Sequence, residues 1–463
     1  MGFGGRLGTY ARVVITPTAA LRELWHDTTG TPLDRAGVVI DGDDPVLPSR
    51  YRVGVLAAAA VAATATAAAR LLRARGGAPD PVRLSVREAA AAFHTERCLR
   101  VDGAPPRDLW AALSGNYRAA DGWVRLHCNY PHHRDAVLAA LAVADSRDAV
   151  AEAVSRRTAE DVEAAVLAAG GAAGALRRRA DWLRHPQALA IGRLPLADLR
   201  RLGPAPARPL ARADRPLAGV RVLDLTHVIA GPVCGRTLAA FGADVLHVGA
   251  AHLPTVGPLV IDTGFGKRSC HLDLRTERDR LVLRGLIAEA DVFVQSYRPG
   301  ALAALGFGPA QLAELRPGIV SVNLSAYGQA GPLAGRRGFD SLVQMVSGIA
   351  DTGEAAPRQL PAQTLDHGTG WLAAFGAITA LTRRASAGGS WEVRVSLART
   401  ALWLDSLGRT EDEGERAEGV EDFADLLVET DSAFGRLTHV RAPASGYWAH
   451  GPRLPGGDEP QWW

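Results

Sequence analysis

Residues 220–249 read VRVLDLTHV, then IA, then GPVCGRTLAAFGA, then DVLHVG: an apolar run, a glycine-opened helical stretch and a second apolar run. No other feature restricts the fold as much. Apolar runs without polar alternation suit strands covered on both faces, which is the condition of a parallel sheet. Parallel neighbours need a crossover between them, and a helix of this length supplies one. The alternation continues through RSCHLDL (268–274), RDRLVLRGLIAEA (278–290), DVFVQSY (291–297) and IVSVNLSAYG (319–328). Residues 215 to about 350 are therefore expected to form a doubly wound α/β domain.

The stretch before this is different. LGPAPARPLARADRPLAG (202–219) lacks periodicity and is rich in Pro, Ala and Arg, which marks a linker. It divides the chain into 1–201, a linker at 202–215, and 216–463. Within the first part, short strands around WVRLHCNY (123–130) lie between helical stretches, so a smaller α+β unit is expected there. The run VGVLAAAAVAATATAAARLL (53–72) is long enough to span a membrane. It is nearly all Ala and Thr, however, and reads as a packed helix of a soluble protein.

The chain also echoes itself. WLAAFGAITALTRRASAGGSWEVRVSLARTA (371–401) is an apolar helix, a Gly-Gly turn and the strand VRVSL. VLAAAAVAATATAAARLLRARGGAPDPVRLSVREAA (55–90) has the same order and ends its turn in VRLSV. The first copy is expected to have a longer helix and turn, with a basic stretch around Arg50 where the second has TLDHGTG (364–370). In that heptapeptide Asp366 precedes an apolar helix. On these seven residues alone it is either a helix cap or a nucleophile.

Charge and cysteine usage narrow the function classes. The net charge is only +3, which gives no basic face for a nucleic acid, and no nucleic-acid or membrane partner is expected. The cysteines at 98, 128, 234 and 270 form no CxxC pair. They argue against a zinc site or structural disulfides, and for a reducing, cytoplasmic setting. The start, MGFGGRLGTYARVV, carries no secretory signal pattern. The turn AGPVCG after the first strand is not the GxGxxG of a dinucleotide site.

PLAGVRVLDLTHVIAGPVCGRTLAAFGADVLHV (216–248), GKRSCHLDL (266–274), ADVFVQSYRPGALAALGFG (290–308) and SAYGQAGPLAGRRGFDSLVQMVSG (325–348) resemble successive blocks of the class III CoA-transferases, the CaiB/BaiF family of formyl-CoA and carnitine-CoA transferases. The likeness covers roughly 216–402, with a family-like tail at 434–463. DGWVRLHCNY (121–130) and the segment after it resemble the family's small domain. The chain thus reads as a partial copy, without a catalytic Asp, joined to a large domain that has one. The resemblance implies a Rossmann-like open parallel sheet with a smaller α+β domain. It implies transfer of CoA from an acyl-CoA to a free carboxylic acid, through an aspartyl anhydride and an aspartyl-CoA thioester. CoA is a substrate in that scheme; no permanently bound cofactor and no metal is expected.

The same resemblance assigns the site. Asp366 falls on the family nucleophile. Ile229 and Ala230 fall on the turn that meets CoA, Lys267 and Arg268 face phosphates, and Ser296, Tyr297 and Arg298 lie where the family has an Asn-Phe-Arg run near the nucleotide. Ser296 departs from that Asn. Gly368 and Gly370 would let a bulky thioester approach the backbone, and His367 would orient Asp366 or stabilise charge. HVGAAHLPTVGPLVIDTG, after the second strand, lacks the Arg of the family's phosphate loop. In the racemases of this family a His follows the Gly of the block matching GRRGFD. Phe339 stands there and disfavours racemisation. Family members interlock as homodimers, whereas here one chain holds both kinds of domain. The competing class is an acyl-CoA-binding partner subunit without turnover.

Overall fold

The computed structural model describes residues 15–34, 37–106, 109–353, 356–410, 420–444 and 446–462. The first helix, α1 (Pro17–Thr29), starts where the Thr16 hydroxyl accepts the Ala19 N–H at 3.2 Å. It is followed by β1 (Val38–Asp41), α2 (Val53–Ala74), β2 (Val82–Ser85), α3 (Val86–Ala92), α4 (Thr95–Cys98) and β3 (Arg100–Val101). α2 is long and apolar enough to cross a membrane, but its apolar window is 94% buried within the protein. Its alanines present little bulk, so α1, α3 and a long helix from the other half of the chain all pack closely on it.

Then comes the small α+β unit: β4 (Gly115–Arg118), β5 (Trp123–Leu126), α5 (Pro131–Leu141), α6 (Arg147–Ser155), α7 (Ala159–Ala168) and β6 (Ala173–Ala175). Its strands form an antiparallel three-stranded sheet in the order β4-β5-β6. Val124, Leu126, Val137, Val150, Val162 and Val166 build its separate core. The helices α8 (Arg179–Arg184) and α9 (Pro186–Gly192) lead to β7 (Asp198–Gly203).

The second half alternates as expected: β8 (Arg221–Leu225), α10 (Ala230–Ala240), β9 (Asp244–Gly249), α11 (Gly257–Thr263), β10 (Lys267–His271), α12 (Glu277–Glu289), β11 (Val292–Gln295), α13 (Pro309–Leu315) and β12 (Val320–Ser325). It ends with α14 (Asp340–Val346), α15 (Thr364–Ala387), β13 (Ser390–Ser396), α16 (Leu397–Ser406), β14 (Leu427–Ser432) and β15 (Gly435–Val440). The large sheet has seven strands in the order β10-β9-β8-β11-β12-β13-β7. All its pairs are parallel except β13 with β7. The order reverses between β8 and β11, and open sheets bind ligands beyond the carboxyl ends of the strands at such a point. β3 joins β14 and β15 in a third sheet, so the two halves share that one as well.

The boundary expected after residue 201 falls inside β7. The sequence DLRRLG places arginines on an exposed edge, and without an apolar pattern it reads as loop. The stretch without helix or strand begins at Pro204.

The internal repeat is visible as α2–β2–α3 against α15–β13–α16. Ser85 caps α3 by accepting the Glu88 N–H at 3.0 Å, and Ser396 caps α16 by accepting the Arg399 N–H at 3.4 Å. Carboxylates from outside cap the two long helices. Asp44 accepts the N–H groups of Gly54 and Val55 at 3.0 and 2.8 Å; Asp340 accepts those of Leu365 and Asp366 at 2.8 and 2.9 Å. This register places Val55 where the second copy has Asp366. Val55 precedes Ser85 by as many residues as Asp366 precedes Ser396. The longer helix expected in the first copy is absent, since α2 has 22 residues and α15 has 24, but the longer turn is there: residues 75–81 lead to β2, against 388–389 before β13. Both copies bury their helices in one core, with Leu56, Val61 and Phe93 in the same cluster as Val233, Leu365 and Phe375.

Candidate active site

Helix α15 begins two residues before Asp366, so Asp366 lies within its first turn. The two orphan N–H groups there are taken by Asp340, which reaches them from the start of α14 and is itself held by the Gln344 amide. Asp366 is therefore free of capping duty. Among the described residues its carboxylate accepts no hydrogen bond. It is 7% exposed and borders a cavity of about 390 Å³.

Burial raises the Asp366 carboxyl well above the usual carboxylate range, and the charges of Asp340 and Glu96 add to the effect. Burial likewise pushes Asp340 up to about 6. The two carboxylates titrate as a pair, since each disfavours ionisation of the other. Glu96 comes from α4, in the first copy. Burial opposes its ionisation, but the charge and hydrogen bond of His367 outweigh this and hold it at about 2. His367 Nε2 and Glu96 Oε2 are 3.0 Å apart, both side chains are buried, and Phe93 stacks on the imidazole with centroids 5.5 Å apart. Next to Glu96, Thr95 donates to Asp262 at 2.9 Å, and Asp262 pairs with Arg236 at 2.9 Å. A buried polar network thus ties the first copy to the start of α15 in the second.

The cavity wall is composite. The carboxyl ends of β8, β11 and β12 supply His227, Val228, Ser296, Tyr297, Arg298, Leu324 and Ser325. The small unit supplies Tyr130, His132 and His133, and the loop before α14 supplies Arg336, Arg337, Gly338 and Phe339. His227 Nε2 lies 3.0 Å from the Tyr297 hydroxyl. Val228 has φ +72°, a conformation β-branched residues rarely adopt. Such strain costs on the order of 1–3 kcal/mol and clusters where a backbone is held for a ligand. Burial, with the charge of Asp366 behind it, pushes the Tyr130 hydroxyl up to about 12.

The sequence-expected residues divide. Asp366, Ala230, Ser296, Tyr297 and Arg298 all meet on the cavity wall. Arg298 is exposed, and its charge and that of Arg337 repel, which makes this rim cationic. Ile229 is the buried N-cap residue of α10 and does not border the cavity. Lys267 and Arg268 border a smaller neighbouring cavity that shares Tyr130, His227 and Val228 with this one, but their charged groups are already engaged within the fold. Lys267 Nζ is buried at 2.7 Å from both Asp224 Oδ2 and the Pro232 carbonyl. Arg268 pairs with Asp244 at 2.9 Å and donates to the Gln461 carbonyl at 2.5 Å. Gly368 is also corrected: a Cβ there would meet Leu56 at 2.9 Å, so this glycine lets α15 approach α2. A Cβ on Gly370 would lie 2.5 Å from the Ala230 carbonyl, so that glycine serves the close approach of α10. Sequence reading missed Asp340, Glu96, Tyr130 and His133. GRRGFD carried a signal for Asp340, an acid at the start of a helix, but it was read only for Phe339. His127, from the small unit, stacks on Phe339 with centroids 3.7 Å apart.

The family model of CoA-transferase family III matches residues 35–205 and 217–419. The chain belongs to that family, and the two matched segments correspond to the two structural copies. Among curated relatives, it is 37% identical over 209 residues to an acetyl-coenzyme A transferase of Hypoxylon pulicicidum, covering 43% of this chain and 35% of that one. It is 33% identical to a probable fatty acyl-CoA transferase of Mycobacterium tuberculosis, covering 43% and 54% of the two chains. It is 31% identical to a formyl-CoA:oxalate CoA-transferase of Streptomyces coelicolor, covering 47% and 58%. The chain thus spans between about a third and three fifths of the length of these relatives. A crystal structure of the M. tuberculosis protein aligns with a TM-score of 0.39 at 31% identity, over 42% of this chain and 58% of that one.

Proposed function

We propose that this protein is a CoA-transferase with Asp366 as its nucleophile. The observation that carries the reading is the division of labour at the start of α15. Asp340 performs the capping, and Asp366 is left with an unengaged carboxylate at the wall of a ligand-sized cavity. A buried carboxylate of raised pKa, facing a cavity beside a strained turn, has the environment of a functional group.

The steps balance without an added co-reactant. An Asp366 oxygen attacks the carbonyl carbon of the donor thioester, the C–S bond breaks, and CoA leaves as a thiolate. The product is a mixed anhydride on Asp366. The thiolate attacks the Asp366 carbonyl, the donor acid departs, and an aspartyl-CoA thioester remains. The acceptor carboxylate then attacks that thioester and releases the thiolate. The thiolate attacks the acceptor carbonyl of the new anhydride and restores the Asp366 carboxylate. Only a carboxylate can pass through both an anhydride and a thioester, so the neighbouring His367 cannot replace it. Arg298 and Arg337 supply the positive rim for phosphate or carboxylate groups at the mouth. One chain contributes both the α/β wall and the small-unit wall.

The test is intact-protein mass spectrometry after mixing with a panel of acyl-CoAs, followed by hydroxylamine. A CoA adduct in the wild type that hydroxylamine removes, and that is absent in Asp366→Asn, is the expected result. CoA binding with no adduct for any donor would reject the transfer reading and leave a binding subunit.

A further inference from the structure

Attack on a thioester puts negative charge on a carbonyl oxygen, and that charge needs a donor aimed at it. The start of α15 has little to offer. The N–H groups of Leu365 and Asp366 go to Asp340, and that of His367 goes to the Gln363 carbonyl at 3.0 Å. Across the cavity, the Tyr297 hydroxyl lies against His227, and Arg336 pairs with Glu163.

Tyr130 is placed differently. It is the residue before α5 in the small unit, and it borders both the Asp366 cavity and the smaller one beside it. Its carbonyl accepts the N–H groups of His133 and Arg134 at 2.9 and 3.0 Å, which fixes the backbone. Its ring stacks on His132 with centroids 5.8 Å apart and stands edge-on to His133 at 5.5 Å. Among the described residues the hydroxyl has no hydrogen-bond partner, and it keeps open surface. The charge of Asp366 acts on this hydroxyl, although the two groups form no hydrogen bond. A gap of that kind leaves room for a reacting carbonyl between them. The phenol is pushed up to about 12 and so keeps its proton at neutral pH.

We propose that Tyr130 donates the hydrogen bond that holds the oxyanion formed when Asp366 attacks the thioester. The proposal rests on the transfer reading above. An Asp366 oxygen bonds to the carbonyl carbon, and the carbonyl electron pair moves onto its oxygen. The Tyr130 O–H points at that oxygen and keeps its proton. The electron pair then returns, the C–S bond breaks and CoA leaves as a thiolate. The small unit thereby supplies a catalytic residue to a nucleophile on the α/β domain.

The test measures the rate of CoA-adduct formation with acetyl-CoA, butyryl-CoA and succinyl-CoA in the wild type and in Tyr130→Phe. Binding of the same thioesters is measured by calorimetry in an Asp366→Asn background, with and without Tyr130→Phe. The expected result is an adduct that forms on the order of 100-fold more slowly in Tyr130→Phe, with binding unchanged. Replacing Tyr130 by 3-fluorotyrosine, a more acidic donor of similar shape, is expected to keep or raise the rate. An equal rate in Tyr130→Phe overturns the role of Tyr130 and leaves transfer standing. So does a slower rate matched by an equal loss of binding, or a fluorotyrosine variant as slow as the Phe variant. Binding without an adduct in the wild type rejects transfer, and the proposal with it.

Discussion

The first turn of α2 and the first turn of α15 are the same construction with one decisive exchange. Each long buried helix is capped by an aspartate from outside, Asp44 in one copy and Asp340 in the other. Each packs in the shared core. At the equivalent position one copy has Val55, with no exposure at all, and the other has Asp366 on a cavity wall. The capped start of a long buried helix therefore occurs in both copies, while a carboxylate on a cavity wall occurs in only one. The cap belongs to the scaffold, and the carboxylate beside it does not.

That comparison can be broken in several ways. Asp366→Asn has the largest expected effect: CoA adducts fall below detection by mass spectrometry while the fold, read by circular dichroism, is kept. The reverse exchange, Val55→Asp, places an unpaired carboxylate in a closed core. It should destabilise the protein by about 3–5 kcal/mol in chemical denaturation without creating a second adduct. Two adducts per chain would show that the first copy retains a usable site. Glu96→Ala strands a buried imidazole and is expected to cost about 2–4 kcal/mol; Glu96→Gln, which can still hydrogen-bond His367, is expected to cost less. Asp44→Ala removes the α2 cap and a weak loop contact to the Val46 N–H, and should cost about 1 kcal/mol of stability, with adduct formation unchanged.

The pH dependence is the finest discriminator. Asp340 has its carboxyl raised to about 6, so its stabilising contribution is full below the ordinary carboxyl range near 4. That contribution is lost as pH rises through about 6, because the ionised form is the one burial disfavours. Adduct formation requires ionised Asp366 and so rises with pH. Asp340→Asn keeps a carbonyl cap and removes the like charge, which moves the rising limb to lower pH. An unmoved limb would mean that Asp340 does not act on Asp366 electrostatically.

Much of the second half was legible because its strands are covered on both faces and helices such as α10 and α15 are buried almost throughout, which leaves plain apolar runs in the sequence. β7 was not legible, because an edge strand with two adjacent exposed arginines, Arg200 and Arg201, has no such rhythm. Asp366 stood out because its signal is local, an acid beside a helix start within a family block. Glu96 could not. It meets His367 across 271 positions, and nothing near Glu96 in the sequence announces that meeting. Lys267 shows the converse. Beside Arg268 it looks like a phosphate ligand, but folding places it against Asp224. Charge in a sequence does not say whether the fold has already neutralised it.

β7 also determines what would happen if the connector after it were cut. That strand comes from the first half yet is hydrogen-bonded along β13, the strand that follows α15, and α2 is buried against α15. A protease that nicks residues 204–213 would cleave one bond of the backbone and separate nothing. The two fragments would elute together and come apart only in denaturant. Two such pieces, expressed from separate messages, should find each other and assemble as a heterodimer in which one partner brings Asp366 and the other brings Glu96 and His133.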